Sequence, residues 1–182
     1  MLLSLDRIPS PIGEILLVFE DEVLRALDFH DYEPRMHRLL SQHYGPVGLQ
    51  PMAAPKAIRA PLDRYFAGEF TALDRVKTAT GGTEFQRAVW AALRRIGPGE
   101  TLGYGKLAAT IGRPTASRAV GAANGANPIA IVVPCHRVIG ASLALTGYGG
   151  GLPRKAWLLD HEKVATMRQP ALPGLDGALT AA

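Results

Sequence analysis

Residues 104–125 read YGKLAATIGRPTASRAVGAANG. Two short helical patterns lie in this stretch. Leu107, Ala108 and Ile111 recur at helical spacing after Tyr104, and Gly112 closes the first pattern. Arg113-Pro114-Thr115 is a tight turn, with Thr115 read as the N-cap of the second helix. That helix runs from Ala116 to Asn124 and is ended by Gly125. Two short helices joined this way predict a helix-turn-helix. The second is rich in Ala and Gly, so its backbone can come close to another surface. That surface is either a duplex groove or the protein's own interior, and the helix alone does not choose.

Toward the C-terminus, Asn127-Pro128 is a turn signal and Ile129 to Val133 reads as a buried strand. The run then becomes Pro134-Cys135-His136-Arg137-Val138-Ile139-Gly140. A lone cysteine is most often a small buried hydrophobe. Here a strand would carry Cys135 out of the core, Pro134 fixes the backbone before it, and His136 and Arg137 come directly after it. A cationic or proton-accepting neighbour favours a nucleophilic thiolate. Adjacency in sequence does not by itself mean contact. Tyr148 and Gly149-Gly150-Gly151 then form a loop. Pro153 opens a last helix, with Trp157, Leu158 and Leu159 inward and Glu162 near its end. Residues 166–182 show no periodicity and are expected to be a flexible tail.

Toward the N-terminus, Thr83 stands three residues before Gln86, a capping box. Phe85, Val89, Leu93 and Ile96 line one helical face with Trp90 beside it, and Gly97-Pro98-Gly99 ends the pattern. Residues 69–82 read as a connection. Earlier, 61–67 and 35–43 show helical spacing, with Pro61 expected in a first turn. Leu2 to Ile8, Glu14 to Glu20 and Val23 to Phe29 read as strands. The fold class is therefore α+β: a small sheet-plus-helix unit over 1–80, then a mainly helical domain over 81–165 with the helix-turn-helix and the cysteine.

Composition bounds the function. Apolar residues are 47% of the 182 and charged residues 20%, ordinary for a globular protein. No run of eighteen apolar residues or signal-like start occurs, so neither membrane nor secretion is expected. A single cysteine allows no internal disulfide. Residues 1–80 hold nine Lys/Arg against eleven Asp/Glu, while 81–165 hold ten against four, a net of −2 beside +6. A polyanionic partner fits the second half, although a solvated basic face fits too. His30, His37, His43, His136 and His161 give no pair at zinc-finger spacing, so no metal is expected. No phosphate-binding or dinucleotide motif calls for a cofactor.

Taken together, Asn127-Pro128 and Pro134-Cys135-His136-Arg137-Val138-Ile139-Gly140 resemble the signature of the O6-alkylguanine-DNA alkyltransferases. Thr83 to Trp90, Gly103-Tyr104, Ser117-Arg118-Ala119-Val120-Gly121, Thr146-Gly147-Tyr148 and Trp157 through Glu162 are similar too, in family order. The resemblance is close over roughly residues 80–163; before that it is general, with Ser10-Pro11-Ile12-Gly13 the clearest point. It implies a ribonuclease H-like first unit of structural role. It implies that Cys135 accepts an alkyl group from O6 of guanine, or O4 of thymine, in double-stranded DNA, in one irreversible event. His136 would take the thiol proton through a water, Glu162 would orient His136, and Asn127 would brace the cysteine turn. Tyr104 would contact the phosphate beside the lesion. Arg118 would fill the gap left by the flipped nucleotide, with Ser117, Ala119 and Gly121 close to the groove and no sequence specificity. Pro134, Val138, Tyr148, Gly149 and Gly150 would line the guanine pocket. Arg137 would hold the two halves together. A cytoplasmic, nucleoid-associated monomer is expected, cooperativity on DNA being left open.

Two departures stand out. Ala141 to Leu145 lacks a glycine common in relatives. Gly149 beside Gly150 predicts a roomy pocket that accepts adducts larger than methyl. Three rivals remain: a lesion binder without chemistry, which would replace Cys135; a helix-turn-helix regulator; and a Cys-His hydrolase, which would need an oxyanion hole.

Overall fold

The computed structural model describes residues 1–140 and 145–163. β1 (Leu2–Ile8), β2 (Ile15–Glu20) and β3 (Val23–Phe29) form an antiparallel meander where the sequence predicts strands. All of β2 except Glu20 is buried, as expected of an apolar strand covered on both faces. Leu16 and Val18 pack on Met36 and Leu40 of α1 (Glu33–Tyr44), which covers one face. Ile15, Leu17 and Phe19 join the larger core with α2 (Lys56–Phe66) and the second half of the chain.

The sheet also holds a strand that the sequence reading misses. β4 (Gly48–Pro51) pairs parallel to β1, giving the order β3-β2-β1-β4. Gly-Leu-Gln-Pro has no alternation and no β-branched residue, so its extended state comes from pairing rather than propensity. α2 begins at Lys56, five residues before the expected start. Pro61 therefore lies inside the helix, buried, and not in its first turn. Its missing N–H unpairs only the Ala57 carbonyl, and Ala57 is exposed. Within the connection, Phe70–Arg75 winds into a 3-10 segment.

The second half is mainly helical. α3 (Glu84–Leu93) starts at the expected capping box: Thr83 Oγ1 accepts from Gln86 N, and Gln86 Oε1 accepts from Thr83 N. α4 (Tyr104–Thr110) and α5 (Ser117–Gly125) are the two helices of the helix-turn-helix. The N-cap of α5 is Ala116, with no side-chain cap, so Thr115 does not fill that role. β5 (Leu102–Gly103) and β6 (Val138–Ile139) form a short parallel ladder, and α6 (Leu152–His161) comes last. No helix among the described residues is long and apolar enough to cross a membrane.

Residues 129–133 are buried as expected but are not a strand. Only Ile129 bridges β3, at Leu27. Val133 N then donates back to Ile129 O, and Ile131 sits at φ +68°. A β-branched residue in the left-handed region is strained, so the surroundings hold this turn. On β3, Leu27 N donates to Pro128 O and Ala130 N donates to Leu27 O; Leu24 exchanges similar bonds with Lys77 and Ala79. The open edge of the sheet is thus the seat on which the cysteine-bearing turn is built. The expected tail, and positions 141–144 of the unusual loop, lie outside the described residues.

Candidate active site

Asn127, 1% exposed, organises the turn. Its Oδ1 accepts from Ile129 N at 3.0 Å. Its Nδ2 donates to Val133 O at 2.8 Å and lies 3.0 Å from Cys135 Sγ. One amide therefore ties both ends of the strained segment to the sulfur. On α5, Asn124 turns inward and donates to Cys135 O at 3.4 Å.

Cys135 opens a single 3-10 turn, Cys135–Arg137, and is 4% exposed. Burial pushes its thiol pKa up, against the opposing pull of the Asn127 bond and the charges of Arg35 and Lys155. The expected exposed thiolate is therefore corrected to a buried thiol that needs a base. His136 and Arg137 do not turn to the sulfur; both turn to Glu162.

His136 is fully buried, with Nε2 3.0 Å from Glu162 Oε1. The carboxylate only accepts, so Nε2 carries the proton and Nδ1 keeps its lone pair. Nδ1 is buried with no protein partner among the described residues. Burial holds this imidazole below its ordinary pKa, partly offset by Glu162, so it is neutral at pH 7. A neutral ring with a free, sheltered lone pair is a general base in waiting.

Glu162 caps the end of α6. Burial alone would raise its pKa, but bonds from His136 and Arg137 hold it well below the usual carboxylate range. Arg137 Nε and Nη2 reach Oε2 and Oε1, each at 2.8 Å, and Nη1 donates to Ile96 O. Those partners all lie in the second half, so Arg137 does not join the halves as expected. That joining falls to residues the sequence reading passes over. Tyr65 OH donates to Glu162 Oε1 at 2.7 Å. Arg35 pairs with Asp28 at 2.6 Å and donates to Gly125 O and Asn127 O at 2.8 and 3.0 Å. Arg154 donates to Ile12 O and Asp31, with its guanidinium 4.3 Å over the Phe29 ring.

The proposed pocket residues meet here in part. Pro134 and Val138 are buried beside the cysteine turn. The Tyr148 ring stands edge-on to His136 at 6.4 Å, and its hydroxyl is buried without a partner among the described residues. Gly149 and Gly150 do not make the pocket roomy. A Cβ on Gly149 would meet the Arg35 guanidinium at 2.5 Å, and one on Gly150 the Phe29 ring at 2.3 Å. The glycines let the first half close on the loop. Lys155 is a further residue not foreseen. It is fully buried and donates to Val138 O and Thr146 O at 2.6 and 2.7 Å, with burial lowering its pKa to about 8. Its i, i+3 and i, i+4 spacing to Leu158 and Leu159 is the available signal for a buried position.

The groove-facing candidates form a separate surface. Ser117, Arg118 and Ala119 are exposed on the first turn of α5. The Tyr104 ring is 3.7 Å from a Cβ built on Gly121, and its hydroxyl is 3.5 Å from Thr146 O. α5 thus shows one face outward and puts Val120, Ala123 and Asn124 inward, against the cysteine turn. Among the described residues no three His, Cys, Asp or Glu side chains gather as a metal site.

The same chain matches two known domain families in order. Residues 6–80 match the ribonuclease-like domain of 6-O-methylguanine DNA methyltransferase, and 84–164 match its DNA-binding domain. The methylated-DNA–protein-cysteine methyltransferase of Salmonella typhimurium is 52% identical over 160 residues, covering 86% of this chain and 94% of that protein. The protein of that name from Mycobacterium tuberculosis is 50% identical over 159 residues, covering 86% and 90%. A crystal structure of Mycobacterium tuberculosis OGT in complex with DNA superposes with TM-score 0.75 at 47% identity, covering 90% of this chain and 93% of that one. An O6-methylguanine-DNA methyltransferase from Pyrococcus kodakaraensis shares the fold, with TM-score 0.66 at 22% identity, covering 88% and 98%.

Proposed function

The chain belongs to the 6-O-methylguanine DNA methyltransferase family, and from that premise we propose that it repairs DNA by moving an alkyl group from O6 of guanine to Cys135. The observation that carries this is the single sulfur held by Asn127 beside a neutral His136 whose free nitrogen is sheltered and whose other nitrogen is anchored on Glu162. An alkyl displacement needs no oxyanion hole, whereas a Cys-His hydrolase does and would turn over.

The chemistry is set by those atoms. The lesion is buried in the duplex, so the nucleotide rotates out at a cost of roughly a few kcal/mol. Arg118, exposed on α5, fills the vacated stack; the small residues around it let the backbone approach without reading bases. Phosphate contacts by the basic half supply affinity that weakens with salt. A water takes the Cys135 proton and passes one to His136 Nδ1. Sulfur attacks the alkyl carbon, the new S–C bond forms, and the O6–C bond breaks. Its electron pair stays on the purine, which regains a proton at N1 and leaves as ordinary guanine. We assign delivery of that proton to Tyr104, whose ring packs by Gly121 on α5 and whose hydroxyl lies near Thr146 O. The thioether is not hydrolysed under mild conditions, so each molecule acts once, with no cofactor. The buried thiol makes the base indispensable, because little standing thiolate exists at neutral pH. O4-alkylthymine offers the same alkyl–oxygen bond and is a second substrate. We place the protein in the cytoplasm, working on DNA as a monomer.

The decisive experiment incubates the protein with duplex DNA carrying radiolabelled O6-methylguanine. One label per protein, lost in Cys135→Ala, is the expected result. Binding without transfer would leave a lesion binder or regulator, and release of a small labelled product over many turnovers would leave a hydrolase.

A further inference from the structure

The first half of the chain reaches into the proton relay at one atom. Glu162 Oε1 receives three donors: His136 Nε2 at 3.0 Å, Arg137 Nη2 at 2.8 Å and Tyr65 OH at 2.7 Å. The shortest of the three comes from α2, 97 residues away in sequence. Tyr65 is fully buried. Its ring is held edge-on by Phe66, Phe70 and His161 at 5.3, 6.0 and 5.4 Å. His161 Nε2 lies 3.0 Å from Tyr65 O, and its ring stacks on Trp157 at 4.6 Å. The hydroxyl is thus fixed from both ends of its own residue, and one of its clamps is the residue beside Glu162.

We propose that Tyr65 is a positioning residue for alkyl transfer, which fixes the Glu162 carboxylate and limits its pull on His136. This rests on the proposed roles of Cys135, His136 and Glu162. A carboxylate oxygen shared among three donors offers less negative charge to each. Without the tyrosine bond, Oε1 draws harder on the Nε2 proton and Nδ1 becomes more basic. His136 would then take up a proton at higher pH and be lost as a base over part of the working range. Burial pushes the Tyr65 hydroxyl well above its ordinary pKa, with Glu162 adding to the effect, so it remains a donor throughout. The other groups facing His136 and Glu162 are Arg137 and Cys135 from the turn, Lys155 from α6 and Tyr148 from the loop before it; Arg35 bears on the sulfur. Tyr65→Phe leaves all of these side chains in place.

The test compares wild type with Tyr65→Phe, which keeps the ring contacts. Single-turnover transfer from O6-methylguanine duplex DNA is timed from about pH 5 to about pH 9. The expected result is an acid limb moved upward by roughly 0.5–1 pH unit, a loss of about 3- to 10-fold on that limb and much less on the plateau. Replacing Tyr65 with 3,5-difluorotyrosine, a stronger donor, should move the limb the other way. A purely structural role would lower the melting temperature or the plateau and leave the limb in place, and that overturns the proposal. The nitrogen-15 titration of His136 in the same proteins reads the coupling directly, including in a variant too unstable to assay. A wild type that transfers no label would defeat the functional reading, whereas a wild type that transfers and variants with unmoved His136 titrations would defeat this inference alone.

Discussion

Two buried carboxylates, one in each half, are both pushed up by burial and end with opposite net pKa shifts. Asp28 on β3 has Arg35 as its single side-chain donor among the described residues, together with the Phe29 N–H, and burial leaves its pKa raised. Glu162 has four hydrogen bonds from three side chains, and those bonds overcome burial and lower its pKa. Both sit beside an arginine, so charge pairing alone does not explain the difference. What differs is how many donors saturate the oxygens once water is gone. The first site holds two halves of a protein together. In the proposed mechanism the second keeps a charge fixed while a proton moves nearby.

The largest expected effect comes from reducing the second site to the first. Arg137→Met removes two of the four bonds and strands a buried charge, so the denaturation midpoint should report a loss of about 3–5 kcal/mol. A loss under about 1 kcal/mol would mean that Tyr65 and His136 suffice and that donor number is not the governing variable. Arg35→Met should cost less, about 1–3 kcal/mol, because Asp28 can take a proton. The signs separate the two. A raised carboxylate binds its proton more readily folded than unfolded, so the Asp28 cost is recovered as pH falls through its folded value. A lowered carboxylate does the reverse, and Glu162 stabilises above the ordinary value of 4.5 and is lost as pH falls below it. The Arg35→Met deficit should therefore shrink in acid.

The buried cation extends the contrast. Lys155 titrates near 8 when folded against 10.5 when free, so the unfolded chain binds more protons between those values and stability rises with pH there. Between pH 8 and 9 thermal scans should show a gain of up to about 1 kcal/mol, absent in Lys155→Met. Above the ordinary Cys135 value of 9.0 the raised thiol opposes this, because the folded state then holds the extra proton. The smallest effect belongs to the solvated pairs. Arg59 and Asp63, one turn apart on α2 and both exposed, should lose no more than about 0.5 kcal/mol in Arg59→Ala. A larger loss would blur the contrast between saturated buried charge and surface charge.

Much of this molecule is legible in the chain before any contact is known. The first three strands, the capping box at Thr83, the two helices around Arg113 and the run from Pro134 to Gly140 all announce themselves through local period or spacing. The errors share a cause. Gly48–Pro51 becomes a strand only because β1 accepts it, and Ile129 to Val133 looks like a strand because its residues are largely β-branched, although Asn127 and the edge of β3 bend it into a turn. Gly149 and Gly150 suggest space, and the structure fills that space with Arg35 and Phe29.

The sequence by itself determined an α+β chain with a helix-turn-helix, a basic second half and one cysteine flanked by a histidine, because periodicity, turn chemistry and composition act over a few residues. Only the tertiary structure decided that the sulfur is a buried thiol, that Tyr65 and Arg35 from the first half reach the site, and that Lys155 is a buried cation. Those facts depend on side chains up to 97 residues apart sharing one buried interior, where desolvation and donor count set the charge of each group.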